Sequence, residues 1–146
     1  MSAEAVTPIL SQVETPDARR SRIGLRILLS SGLCSIPLDR VHHLAAYATL
    51  TGAPDDYFCG WLDFRGHPTP VFDLNRVVCD QPTLALFSSR IIVMQTPAGT
   101  STPYLGLLAP GITDTIAPDD PAAELLNLDH YLPMLYNLIP DGPLTA

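Results

Sequence analysis

Apolar and polar positions alternate over short runs along most of this chain, and few of the runs are long enough for a helix. Ile23, Leu25, Ile27 and Leu29 alternate with Gly24, Arg26 and Leu28, the period-two pattern of a strand. Ser30, Ser31 and Gly32 make a turn, and Leu33 to Leu38 is the return strand. Asp39, Arg40 and Val41 then begin a bend toward His42, His43 and Leu44, and Thr49 to Asp56 breaks the chain with Thr51-Gly52 and Ala53-Pro54. Next come two apolar runs, Tyr57 to Phe64 and Pro70 to Leu74, separated by Arg65 and Gly66. Aromatic and β-branched residues around a glycine-containing break predict a β-hairpin. Gly66 supplies a positive φ at the turn without the Cβ penalty of other residues. Pro68 and Pro70 cannot donate to a ladder, so the returning strand is expected at a sheet edge or with an irregular start. Asp73 is a helix N-cap, with Leu74, Val77 and Val78 at helical spacing behind it.

Further along, Asp80 to Ser88 reads as a loop with an apolar centre at Leu84 and Leu86. Arg90 to Thr96 is β-branched and continuous, as in a strand buried on both faces. Pro97 to Pro103 is loop, and Tyr104 to Ala109 and Ile112 to Ile116 are strands around the turn dipeptide Pro110-Gly111. Asp119 to Asn127 is expected to begin a short helix. Tyr131 to Ile139 is an apolar run with strand character, closed by the hairpin-type dipeptide Asp141-Gly142. Seven or eight short strands at close spacing predict an all-β barrel or sandwich. Residues 1–21 show no sustained period and read as a flexible lead-in, with a short ordered piece around Val6 to Val13, ahead of one domain over 22–146.

Composition narrows the function. At 146 residues the chain is one domain's worth, and its 47% apolar content argues for a folded core. Charged residues are only 16%, so much of the surface is apolar or neutral, as in a protein that docks with others. The net charge is −7, and all eight basic residues are arginine. The absence of lysine excludes a P-loop and Schiff-base chemistry. An acidic domain is also a poor binder of phosphate backbones, so no nucleic-acid partner is expected. The one basic cluster, Arg19, Arg20, Arg22 and Arg26, reads as a solvated or partner-facing patch. Cys34, Cys59 and Cys79 are isolated and odd in number, which suits a reducing compartment. No secretory leader is evident, and no apolar run approaches the ~20 residues that span a bilayer. A soluble, cytoplasmic protein is expected.

Two sites of chemistry compete with a purely docking role. His42, His43, His67 and His130 offer metal ligands together with the cysteines, but they lack paired zinc spacing, and adjacent His42 and His43 face opposite ways on a strand. No metal site is expected. Cys59, His67 and Asp73 lie close on the hairpin and offer a Cys–His–Asp arrangement for thiolate activation. There is no nucleophile elbow or glycine-rich oxyanion loop, and no GxGxxG for a dinucleotide, so neither an enzyme nor a cofactor is expected. Arg65 either covers the hairpin end with its aliphatic stem or presents its guanidinium at an interface, where arginine is enriched among hot spots.

The ordered set Gly60, Leu62, Arg65, Gly66, Pro70, Val71, Asp73 and Leu74 resembles the central signature of the CheW-like adaptor domain of bacterial chemosensory systems. The stretch IPLDRV, Ile36 to Val41, is similar to the corner that leads into that family's third strand. The resemblance implies an all-β fold of two small SH3-like barrels sharing a core, with short helical pieces. It implies a non-enzymatic scaffold for chemotaxis-type signal transduction, linking a methyl-accepting receptor to a CheA-type histidine kinase. Carried over residue by residue, the partner-binding candidates are Val41, His43, Leu44, Gly60, Arg65 and Gly66. Val41 and Leu44 would give apolar contact and Arg65 a charged hydrogen bond, while Gly60 and Gly66 would keep the backbone close and the turn tight. The alternative from another class is a small effector-binding or thiol-hydrolase β-domain using Cys59, His67 and Asp73.

Two departures from the family pattern stand out. Members usually continue past the Asp-Gly turn with another strand and a short helix, whereas this chain ends four residues after Gly142. The final strand and helix are therefore expected to be missing. That would leave an open sheet edge along Tyr131 to Ile139, available for self-association or for capture of a kinase or receptor strand. Many members also carry Glu at the position of His43, placed to pair with the arginine of the RG turn, and His43 cannot make that salt bridge with Arg65. Within the family, the departures add a third reading, a dedicated subunit of a surface-sensing system, beside outputs in motility or pili.

Overall fold

The computed structural model describes residues 23–83, 89–116 and 124–141. The alternating run at its start forms β1 (Gly24–Leu29), which turns into antiparallel β2 (Gly32–Pro37) with Leu29 opposite Gly32. A single 3-10 turn, Leu38–Arg40, leads to β3 (His43–Ala46). The central hairpin is β4 (Phe58–Phe64) and β5 (His67–Asp73), followed by the short helix α1 (Leu74–Cys79). Then come β6 (Arg90–Gln95), β7 (Tyr104–Ala109), β8 (Gly111–Ile116), β9 (Glu124–Leu125) and the helix α2 (Leu128–Asn137). The strands form two sheets, ordered β8-β1-β2-β9 and β3-β6-β7-β5-β4. Pro110 alone carries the chain from β7 in the second sheet to β8 in the first.

One core joins the two sheets. Leu25, Ile27, Leu29 and Ile36 of the first sheet pack with Phe58, Trp61, Phe72, Ile92, Leu105 and Leu107 of the second, under Leu128, Leu132 and Leu135 of α2. Each large apolar side chain so buried contributes about 1.5–3 kcal/mol relative to exposure. A second cluster, Leu62, Phe64, Val71, Ile91, Val93 and Leu108, covers the opposite face of the five-stranded sheet. β6 is thus buried on both faces, as its unbroken apolar run predicts, with Ile92 and Met94 on one side and Ile91 and Val93 on the other. Polar ties brace the joints. Asn75 on α1 accepts from Ser30 N and donates to Ser30 Oγ, both at 2.9 Å, while Arg40 pairs with Asp129 of α2 at 3.2 Å.

Three expectations are corrected. The run from Tyr131 is helical, within Leu128–Asn137, and no strand edge exists there to recruit another chain. Leu128, Leu132 and Leu135 recur at helical spacing and face the core, while Asp129, His130, Pro133 and Asn137 face solvent. Burial of that leucine stripe holds the helix despite Pro133, whose ring removes one helical hydrogen bond. Within the stretch Asp119 to Asn127 expected to begin a helix, Glu124–Leu125 form β9, paired in parallel with Cys34 and Ser35, and positions 119–123 lie outside the described residues. Lastly, β5 lies between β4 and β7 and is no edge strand as a whole, although its proline-bearing start, His67 to Pro70, has β4 alone beside it. It tolerates Pro68 and Pro70 because β7 pairs only from Val71 onward. The two-residue turn also makes Phe64–His67 the closing hydrogen-bonded pair, which leaves both prolines at non-hydrogen-bonded positions opposite β4.

The lead-in at 1–21, Arg19, Arg20 and Arg22, the loop centre at Leu84 and Leu86, and Gly142 onward lie outside the described residues. Among the described residues no helix is long and apolar enough to cross a membrane.

Candidate functional site

The site grows from the hairpin turn. β4 and β5 pair from Phe58↔Phe72 to Phe64↔His67, leaving only Arg65 and Gly66 to reverse the chain. Both adopt left-handed backbone, with φ of 52° and 82°, the type I′ geometry that matches the twist of paired strands. Asp63 braces the turn by accepting a hydrogen bond from Gly66 N at 3.0 Å. Thus anchored, Arg65 folds its guanidinium over the Phe64 ring, with Cζ 4.9 Å from the ring centre, a cation–π contact.

Phe64 is buried, and it organises three rings from two other places in the chain. His43 lies 5.3 Å from its centre, His42 5.9 Å and Tyr104 4.9 Å, the last two edge-on. His42 also sits 5.1 Å and His67 5.6 Å from the Tyr104 ring. Strand register brings these residues together. His43 lies opposite Val93 on β6, His42 N donates to Val93 O at 2.8 Å, and Tyr104 lies opposite Gln95 two residues further along β6. The start of β3, the hairpin turn and the start of β7 therefore converge at one end of the five-stranded sheet.

The six candidates from the sequence divide between surface and support. His43, Arg65 and Gly66 are exposed, as is Leu44 at 38%. Val41, at 5% exposure, belongs to the shared core. Gly60 is buried with φ of 139°, and a Cβ there would come within 2.8 Å of Leu50 Cβ and of Thr51 O. Its missing side chain lets Leu50 and Thr51 cross β4, where Thr51 and Trp61 exchange backbone hydrogen bonds of 3.0 and 2.7 Å. Val41 and Gly60 thus shape the platform from beneath. Sequence reasoning missed Phe64 and Tyr104 as the platform itself. The available signal was the aromatic residue directly before the RG turn, whose ring the left-handed backbone at Arg65 brings under the guanidinium.

The thiol arrangement is not assembled. Asp73 and His67 stand at opposite ends of β5, six residues or roughly 20 Å apart along an extended strand. Cys59 lies at a bulge in β4 near the Asp73 end, its Sγ 3.9 Å from Tyr57 O. Burial, and secondarily the charge of Asp73, push the Cys59 thiol up to about 12. Asp73 itself caps α1, accepting from Arg76 N at 3.3 Å, and also accepts from Thr83 N at 2.7 Å. With His67 at the far end of β5 and the thiol favoured in its protonated form, the Cys–His–Asp arrangement that would activate a thiolate is not formed. Among the described residues no three of His, Cys, Asp and Glu gather as a metal-binding group.

Comparison with solved structures finds a likeness to the crystal structure of scaffolding protein TtCheW from Thermoanaerobacter tengcongensis, with a TM-score of 0.58 at 20% sequence identity. The match covers 68% of this chain and 64% of that chain. No family model matches this chain, and no curated protein matches it by sequence. The all-β, two-sheet architecture with few helices is CheW-like.

Proposed function

We propose that this chain is a non-enzymatic cytoplasmic adaptor that couples a methyl-accepting chemosensory receptor to a CheA-type histidine kinase, through its domain at 22–146. The observation that carries the proposal is the end of the five-stranded sheet, where an exposed arginine on a rigid I′ turn is seated on a buried aromatic ring. Such a surface suits recognition by contact, because its charged group is held in place before a partner arrives. The fold likeness to a scaffolding protein supports the same reading. In this reading His43, Leu44, Arg65 and Gly66 touch partners, while Val41 and Gly60 set the shape beneath them. The kinase's regulatory domain and the receptor's helical tip are the two partners.

The test is reconstitution. The purified chain, the kinase and the receptor's cytoplasmic fragment from the same genome are mixed, and complex formation and kinase autophosphorylation are measured. A ternary complex, with receptor control of the kinase only when the chain is present, is the expected result. Failure of the chain to bind either protein would remove the proposal.

A further inference from the structure

Arg65 differs from Arg40 and Arg76 in what it meets. Arg40 is paired with Asp129 at 3.2 Å and Arg76 with Asp80 at 3.0 Å. Among the described residues no carboxylate lies within ion-pair distance of Arg65, whose guanidinium contacts the Phe64 ring. Asp63, the acid nearest in sequence, is turned to Gly66 N instead. The other groups on the surface, His42, His43 and His67, carry no negative charge. On a chain of net charge −7, this end of the sheet gathers hydrogen-bond donors, and the acid of its turn, Asp63, is engaged by Gly66 N and makes no ion pair with Arg65 among the described residues.

We infer that this surface recognises an acidic protein segment, whose Asp or Glu carboxylate accepts hydrogen bonds from the Arg65 guanidinium beside the His43 ring. The inference rests on the adaptor reading and specifies the chemistry of its contact. A guanidinium presents parallel donors that match a carboxylate in two-pronged geometry. The Phe64 ring and the left-handed turn hold it in position, so little side-chain freedom is lost on binding. A nucleic acid would offer anionic oxygens too, but its dense charge is repelled by the acidic remainder of the chain, whereas an isolated carboxylate on a protein partner is repelled far less.

His43 makes the idea testable without deleting the arginine. Its ring shares Phe64 with Arg65, so His43→Glu places a carboxylate of the chain's own at the shared ring, where it competes for the guanidinium. Affinity for the kinase's regulatory domain and for the receptor's cytoplasmic fragment is measured with wild type, Arg65→Gln, Arg65→Lys and His43→Glu. Thermal unfolding of each variant confirms that it is folded. With at least one of the two proteins, Arg65→Gln and His43→Glu should each weaken binding about tenfold or more and Arg65→Lys less. Wild-type affinity for that protein should fall as salt rises from about 50 to about 500 mM. If wild type binds but both variants bind equally well and salt has no effect, the carboxylate contact is wrong while the adaptor reading stands. If wild type binds neither protein, both fall. Binding to a short DNA duplex, as tight as to protein and equally sensitive to Arg65→Gln, would overturn the assignment to an acidic protein segment.

Discussion

The guanidinium of Arg65 lies 4.9 Å from the centre of the Phe64 ring, the ring on which His43 also rests at 5.3 Å. One buried aromatic therefore positions both the arginine of the turn and the first residue of β3, which are 22 positions apart in sequence. This geometry separates what Arg65 does for stability from what it does for binding. The turn needs a residue that tolerates left-handed backbone, and asparagine does so better than arginine. Arg65→Asn should leave the unfolding free energy within about 0.5 kcal/mol of wild type, the loss of the ring contact being offset by the turn preference. It should still weaken partner binding. A loss of more than about 2 kcal/mol in chemical denaturation would make Arg65 a stabilising residue instead of a docking one.

Gly60 and Gly66 both have positive φ, yet their substitutions should differ in cost. A Cβ on Gly66 meets open space, so Gly66→Ala bears only the left-handed strain of about 1 kcal/mol. A Cβ on Gly60 would strike Thr51 O and Leu50 Cβ at 2.8 Å in addition to its backbone strain at φ 139°. Gly60→Ala should destabilise by about 2–4 kcal/mol and loosen the crossing of Leu50 and Thr51 over β4. Urea denaturation of the two variants side by side reads the difference. Equal costs would mean that this crossing is not packed as described.

Asn75 is the buried polar link between α1 and the turn of the first sheet, beside the exposed contact of Cys79 with Ser31. It is buried, and its carboxamide accepts from Ser30 N while donating to Ser30 Oγ, 45 residues away. Asn75→Ala leaves the Ser30 N–H without its acceptor at a part-buried turn. A loss of about 1–3 kcal/mol is expected, with faster amide exchange at Ser30. Unchanged exchange at Ser30 would show that water replaces the link at no cost.

How much of this was legible in the sequence depended on how local each signal was. β1, β2, the central hairpin, the Asp73 cap and β6 to β8 rest on alternation, turn residues or an unbroken β-branched run, all contained within a few positions. α2 was hidden because Tyr131, Met134 and Leu138 fill the gaps between Leu128, Leu132 and Leu135, so the helical stripe reads as a continuous apolar run. Pro133 within the run is a further local signal against a helix, and burial of the leucine stripe in the core outweighs it. The interior place of β5 was hidden for another reason. Its parallel pairing with β7 joins Val71 to Gly106 across α1, β6 and the intervening loops, and no local pattern announces such a contact. The site divides the same way. Arg65 and Gly66 are visible as a turn, whereas Tyr104 reaches Phe64 only because β7 pairs with β6.

Cys59 gives a prediction in pH. Its thiol is ordinarily half-ionised near 9.0, and in the fold it is pushed up to about 12, by burial first and by the Asp73 charge second. The fold therefore favours the protonated thiol. The stability this contributes is fully present below pH 9 and is lost as pH rises from there toward about 12, where the folded thiol also ionises. Tyr136 is raised mainly by burial as well, so the protein as a whole should lose stability in the alkaline range. Comparison with Cys59→Ala isolates the cysteine, since the variant keeps Tyr136 and lacks the thiol. The unfolding free energy of wild type should fall more steeply than that of Cys59→Ala from pH 9 upward, and the two profiles should run parallel below it. Native-state alkylation near neutral pH, mapped by mass spectrometry, should leave Cys59 unmodified until the protein is unfolded. Parallel profiles throughout the alkaline range, or rapid labelling of Cys59 in the folded protein, would place the thiol in water and return thiolate chemistry to consideration.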